Sequence, residues 1–126
     1  CAGAFMMVRA TAVKKIGYFD EDFFFYGEDL DWCWRFKENG YRIVYTPMTK
    51  IIHYKGASSG IKESSKKISK ATKEAKRRVL KESTRAMRLF YEKHYKNTYP
   101  QAIRWFVLTA VKILESVRLT KLHFNL

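Results

Sequence analysis

Tyr26-Gly27-Glu28-Asp29-Leu30-Asp31-Trp32-Cys33-Trp34-Arg35 sets three carboxylates within four residues, directly after a glycine and at the mouth of a segment with helical spacing. Acids favour helix N-termini, where backbone N–H groups lack partners and the dipole is positive. Each gains only about 0.3–1 kcal/mol there, and three together repel one another. One acid suffices as a cap, so the other two need another reason. On a helix Glu28 and Asp31 share a face at i,i+3 while Asp29 points elsewhere. One carboxylate can then face a cleft while the others meet a metal-bound substrate or a neighbouring cation such as Arg35 or Arg9. That division suits general-base chemistry.

Working outward from this stretch, Asn39-Gly40 carries the residue types that end a helix in the left-handed region, so the helix is expected from about Glu28 to Asn39. Upstream, Thr11 to Ile16 reads as a short helix stopped by Gly17, and the acidic aromatic run from Tyr18 to Tyr26 reads as a loop, the usual seat of chemistry. The opening run Cys1-Ala-Gly-Ala-Phe-Met-Met-Val reads as a buried strand, as from a chain cut out of something longer. Downstream, Tyr41-Arg-Ile-Val-Tyr alternates as a strand ended by Pro47, and Lys50 to Tyr54 offers a second. Gly56-Ala-Ser-Ser-Gly60 reads as a loop.

From Ile61 to about Lys96 there is no Gly or Pro, and small or apolar residues recur at 68, 72, 75, 79, 83, 86 and 90, the pattern of one long amphipathic helix. Asn97 to Pro100 breaks it. A last helix is expected from Gln101 to about Leu122, with Ile103, Phe106, Val107, Ala110, Leu114 and Val117 on one face. Charge divides the chain in the same place. Residues 1–61 carry 8 Lys/Arg against 7 Asp/Glu, residues 62–96 carry 13 against 4, and residues 97–126 carry 4 against 1.

The order Gly3-Ala-Phe-Met-Met-Val-Arg9, then Ile16-Gly-Tyr-Phe-Asp-Glu-Asp-Phe-Phe-Phe-Tyr-Gly-Glu-Asp-Leu-Asp-Trp-Cys-Trp-Arg35, then Gly40-Tyr-Arg-Ile-Val-Tyr-Thr-Pro47 and His53 resembles the family 2 glycosyltransferases of the GT-A fold, in particular their rhamnosyl- and galactofuranosyltransferase-like branch. The resemblance covers residues 1 to about 60. It implies an α/β fold: the C-terminal, acceptor-side part of a GT-A nucleotide-diphospho-sugar transferase domain over 1–60, with short strands and a helix. Residues 61–126 follow as a basic amphipathic helical extension of two long helices, so the chain is mostly helical by residue count.

The activity implied is inverting transfer of a sugar from a nucleotide-diphosphate sugar to a hydroxyl of a saccharide or lipid-linked acceptor, as in cell-surface polysaccharide biosynthesis. In enzymes that this sequence resembles, the second acid of the Glu-Asp pair is the base, which falls on Asp29. Glu28 is then expected to position or support the acceptor, and Asp31, Tyr26 and Trp32 to contact it. The resemblance makes His53 a ligand of a divalent metal, Mg²⁺ or Mn²⁺, an ion suited to carboxylate, phosphate and imidazole donors; His53 alone cannot hold it. The family's Asp-x-Asp motif belongs on an upstream strand. Asp20-Glu-Asp22 and Asp29-Leu-Asp31 share its spelling but follow no apolar parallel strand, so this stretch by itself is expected to be inactive.

Against the enzyme stands a second class, a non-catalytic basic helical binding or assembly module with a structural acidic cluster. The Lys/Arg excess of 62–96 comes with no nucleic-acid reader motif, so nucleic acid is not expected. A solvated helix, attraction to an anionic membrane surface, or a homo-oligomer through residues 61–122 are the readings for that half, with core or oligomer packing first for the apolar face of the last helix. Gln101-Ala-Ile-Arg-Trp105 spells the Gln-x-x-Arg-Trp signature of processive polysaccharide synthases, but it stands 72 residues after Asp29 and is read as coincidence.

Composition bounds these readings. A 126-residue chain with 47% hydrophobic and 16% aromatic residues folds despite a net charge of +13. Two cysteines, Cys1 and Cys33, lack metal-type spacing, and a reducing cytoplasm is expected, with attachment at the inner face of the cell membrane. No stretch reaches the roughly 18 uncharged apolar residues of a membrane span.

Overall fold

A computed structural model describes residues 3–53 and 72–124. It divides into two compact units, Cys1–His53 and Tyr54–Leu126.

In the first unit α1 spans Ala10–Ile16 and α2 spans Glu28–Glu38. Helix α2 ends as its sequence dictates. Gly40 takes φ +78°, its N–H donates to the Lys37 carbonyl at 3.0 Å, and the Tyr41 N–H donates to the Phe36 carbonyl at 3.0 Å. This is the double bond of a Schellman stop. Its usual apolar contact is present as the edge-to-face pair of Phe36 and Tyr41, with ring centroids 5.7 Å apart. The helix buries Trp32 and Phe36 against Ala12 of α1, with Met6, Val8, Val13, Ile16 and Tyr41 packed around them, and also buries Cys33. Burying an aromatic side chain such as Phe36 stabilises by about 1.5–3 kcal/mol.

The expected strands are not present among the described residues. Residues 3–8 keep a two-residue alternation, with Met6 and Val8 against the core and Phe5 and Met7 exposed, but pair with no neighbour. Residues 41–45 leave the core after Tyr41, and Val44 and Tyr45 stand open to solvent. The run beginning at Lys50 is likewise without strand structure through His53, and Tyr54 lies outside the described residues. Alternation marks a face for burial, but a strand exists only where a second backbone completes its ladder. The described part is helical, a correction to the short strands expected over 1–60.

In the second unit α3 spans Lys73–His94 and α4 spans Gln101–Phe124. Helix α3 starts where Thr72 Oγ1 accepts from the Ala75 N–H at 3.1 Å, an N-cap. Residues 61–71, where a longer helix was expected, and the Gly56–Gly60 loop lie outside the described residues. The turn between the helices gathers Tyr91, Tyr95 and Tyr99, each ring about 6 Å from the next. Along their length the two helices are joined by polar side chains. Arg104 Nη2 donates to both Glu92 oxygens at 2.9 and 3.0 Å, while the Thr84 hydroxyl and Arg88 both reach Glu115 Oε2, at 3.0 and 3.1 Å.

This joint corrects the expected face of α4. Val107 and Leu114 lie on the half-buried side with Arg104 and Glu115, but Ile103, Phe106, Ala110 and Val117 are exposed. Those four residues turn outward.

Candidate functional site

The loop before α2 is bent at two consecutive residues in the left-handed region, Tyr26 at φ +71° and Gly27 at φ +91°. A bulky residue there is an outlier, held only because its surroundings over-determine it. The bend stands next to Glu28 and Asp29, the first two residues of α2.

Asp29 is the best-held carboxylate of the cluster that still meets solvent. Its Oδ2 accepts the Gly3 N–H at 2.6 Å and its Oδ1 accepts the Leu30 N–H at 2.8 Å. Gly3 approaches so closely that a Cβ there would meet Asp29 Cβ at 3.2 Å. A backbone N–H on each oxygen fixes the plane of the carboxylate, and each oxygen keeps a second lone pair for another donor. Beside it, Glu28 Oε2 is buried with no hydrogen-bond partner among the described residues.

Asp31 is placed differently. It is 1% exposed, and Oδ2 accepts from Arg35 Nε at 2.8 Å. Arg35 also donates to the carbonyls of Ile16 at 3.1 Å and Tyr18 at 2.7 Å, closing the end of α1. Of the two roles open to Asp31 in the sequence, the ion pair with Arg35 is the one formed, because only a cation within reach makes so buried a carboxylate tolerable. Trp32 is also interior: its indole N–H donates to the Gly17 carbonyl at 2.9 Å and its ring lies 4.5 Å from Phe19 and 5.1 Å from Phe36. Its position is that of a core residue rather than of an acceptor platform. Tyr26 is exposed, as are Tyr18 and Phe24 in the same aromatic loop.

Asp20-Glu-Asp22 is loop structure, with the Asp22 N–H on Asp20 Oδ1 at 3.0 Å. Burial pushes the Cys33 thiol above its ordinary value, and the nearby Asp29 charge adds to the rise. His53 is exposed, and among the described residues no three His, Cys, Asp or Glu side chains gather as a metal-holding group. The described residues therefore do not by themselves compose a metal site.

The sequence does not single out Gly3, which it places in a strand; the one signal is the missing Cβ that lets its N–H reach Asp29. Arg35 stands in the sequence as a partner for acids, but its bonds to the carbonyls of Ile16 and Tyr18 depend on the α1–α2 packing. In Gln101-Ala-Ile-Arg-Trp105 the arginine is engaged by Glu92 and Trp105 is exposed.

Comparison with known proteins places this geometry in context. The family model described as glycosyl transferase family group 2 matches residues 1–124. Rhamnosyltransferase WbbL of Escherichia coli (strain K12) is 43% identical over 54 residues, 43% of this chain and 20% of that protein. The N-acetylglucosaminyl-diphospho-decaprenol L-rhamnosyltransferase of Mycobacterium tuberculosis (strain ATCC 25618 / H37Rv) is 37% identical over 59 residues, 47% of this chain and 19% of that protein. A galactofuranosyl glycosyltransferase of Leishmania donovani is 33% identical over 51 residues, 40% of this chain and 12% of that protein. The chain thus spans about a fifth or less of the length of these relatives. No solved structure matches it.

Proposed function

Because the chain belongs to glycosyl transferase family group 2, we propose that it supplies the acceptor-side base of an inverting sugar transfer. The donor is a nucleotide-diphosphate sugar and the acceptor a hydroxyl of a saccharide or a lipid-linked saccharide. The observation that carries this reading is the hold on Asp29: both oxygens fixed by backbone N–H groups, at the helix mouth, on a side chain that is not sealed into the core. A general base must be oriented before the acceptor arrives, and a backbone cradle does that without using a second acid.

In the proposed step Asp29 takes the proton of the acceptor hydroxyl as its oxygen forms a bond to the anomeric carbon. The bond from that carbon to the diphosphate breaks, its electron pair leaves with the nucleotide, and one displacement inverts the anomeric centre. Glu28 is the positioning residue. Its buried, unpartnered Oε2 lacks a donor, and a second hydroxyl of the acceptor would satisfy it. Tyr26, exposed at the bend, would offer a ring face to the sugar. His53 is proposed as one donor to a divalent ion in the complete protein, the others coming from outside the described residues.

The test uses the complete enzyme. Asp29→Asn is expected to lower turnover by about a hundred- to ten-thousand-fold with nucleotide-sugar binding retained and an unchanged circular dichroism spectrum. Unchanged turnover in a folded variant removes Asp29 from the role.

A further inference from the structure

We propose that the outward face of α4 is a contact surface for an anionic lipid bilayer. This rests on the second unit alone and not on the transferase reading. Ile103, Phe106, Ile113, Val117 and Phe124 are 43%, 69%, 59%, 47% and 65% exposed. Their spacing, with the exposed Ala110, keeps them on one side of the helix over about 30 Å. Trp105, 71% exposed, stands beside them.

This face is not a gap left in the helix pair, because the opposite side of α4 is already engaged with α3 through Arg104, Glu115 and Arg118. Nor does it mark a membrane span: among the described residues no helix is long and apolar enough to cross a bilayer. An amphipathic helix of this kind lies in the plane of the interface.

Charge selects the occupant. Residues 72–124 carry 13 Lys/Arg against 4 Asp/Glu. Three of those acids, Glu82, Glu92 and Glu115, are already engaged by Arg85, Arg104 and Arg88. The exposed Lys112 and Lys121 lie on α4 itself. A second copy would bring the same excess of positive charge against this one. An anionic bilayer surface brings the opposite charge and, at the boundary of headgroups and acyl chains, a place for Trp105, Phe106 and Phe124. Nucleic acid would meet the charge but leave the apolar face in water.

The experiment is cosedimentation of the full chain with phosphatidylcholine vesicles, with and without about one third phosphatidylglycerol, at about 0.05 M and about 0.5 M NaCl. Binding is expected only to the anionic vesicles and is expected to fall at least about tenfold at high salt. Phe106→Ser with Ile113→Ser, both at exposed positions, is expected to weaken it about tenfold or more, as is Lys112→Glu with Lys121→Glu, each with an unchanged circular dichroism spectrum. Brominated lipid should quench Trp105, read against a Trp105→Phe control. Three results overturn the proposal: no binding to anionic vesicles at low salt, full binding by the serine variant, or a stable dimer that the serine variant dissociates. Binding to both vesicles and nucleic acid that the lysine variant abolishes and the serine variant leaves intact also overturns it, since the contact would then be charge alone.

Discussion

The two units join their helices in different ways. In the first, aromatic rings fill the interior around α2, and Arg35, paired within that helix to the buried Asp31, ties it to the end of α1 through the carbonyls of Ile16 and Tyr18. In the second, α4 has no buried residue, partly exposed ion pairs and a buried threonine cross between the helices while Ala86 and Tyr91 of α3 are buried, and Ile103, Trp105, Phe106 and Phe124 of α4 face outward. An apolar interior under a fixed carboxylate is how a fold holds a side chain still. A polar joint with an apolar exterior is how it keeps a surface for something else to cover.

The sharpest way to break this comparison within the first unit is to remove its anchor. Arg35→Ala leaves Asp31 charged and buried and frees two carbonyls at the end of α1. The expected loss is about 3 kcal/mol, read as a lower urea midpoint with an unchanged slope. Arg35→Lys recovers only part of it, because an ammonium cannot copy the three-way reach of the guanidinium. A loss under about 1 kcal/mol would show that the pair is not the anchor.

The corresponding change in the second unit is expected to be smaller. Glu115→Gln keeps the shape of the side chain and removes its charge from Arg88. With side chains 34% and 20% exposed at that pair, the expected cost is about 0.5–1 kcal/mol and declines in high salt. A cost equal to that of Arg35→Ala would erase the distinction between the units.

The smallest effect concerns Cys33. Its folded thiol titrates above the ordinary value, so the folded state binds the proton more tightly than the unfolded chain. That contribution to stability is fully present below the unfolded value and is lost as pH rises through the folded one. Alkylation of Cys33, followed by mass spectrometry, is expected to be slower in the folded chain than in urea at pH 8. Equal rates would show that the thiol is not shielded.

The parts of this molecule legible in its sequence are those fixed by neighbours along the chain. Helix α2 begins after Gly27 and stops at Gly40, and the reasons are local: acids at the first turn, a residue that accepts positive φ, and a tyrosine placed to meet Phe36. Helices α1 and α4 were legible in the same way, and Asn97 to Pro100 marked the turn between the last two. The carboxylate cluster was also in the sequence, through its spacing and through resemblance to a family to which the chain belongs.

The roles of the individual acids were not. Glu28, Asp29 and Asp31 have nearly the same chemistry; Asp31 meets Arg35 one turn along α2, but only the packing of α1 on α2 gives Arg35 the carbonyls of Ile16 and Tyr18, and only the approach of the Gly3 backbone cradles Asp29. Residues 41–45 alternate as a strand would, but pairing is supplied by another segment and cannot be read from one. The rotation of α4 was hidden for a related reason. Its apolar residues occupy more than one side, and only the contact with α3 decided which of them would face water. Sequence determines what each segment can do with its neighbours; tertiary structure decided which carboxylate is shielded, which is presented, and which apolar face is left uncovered.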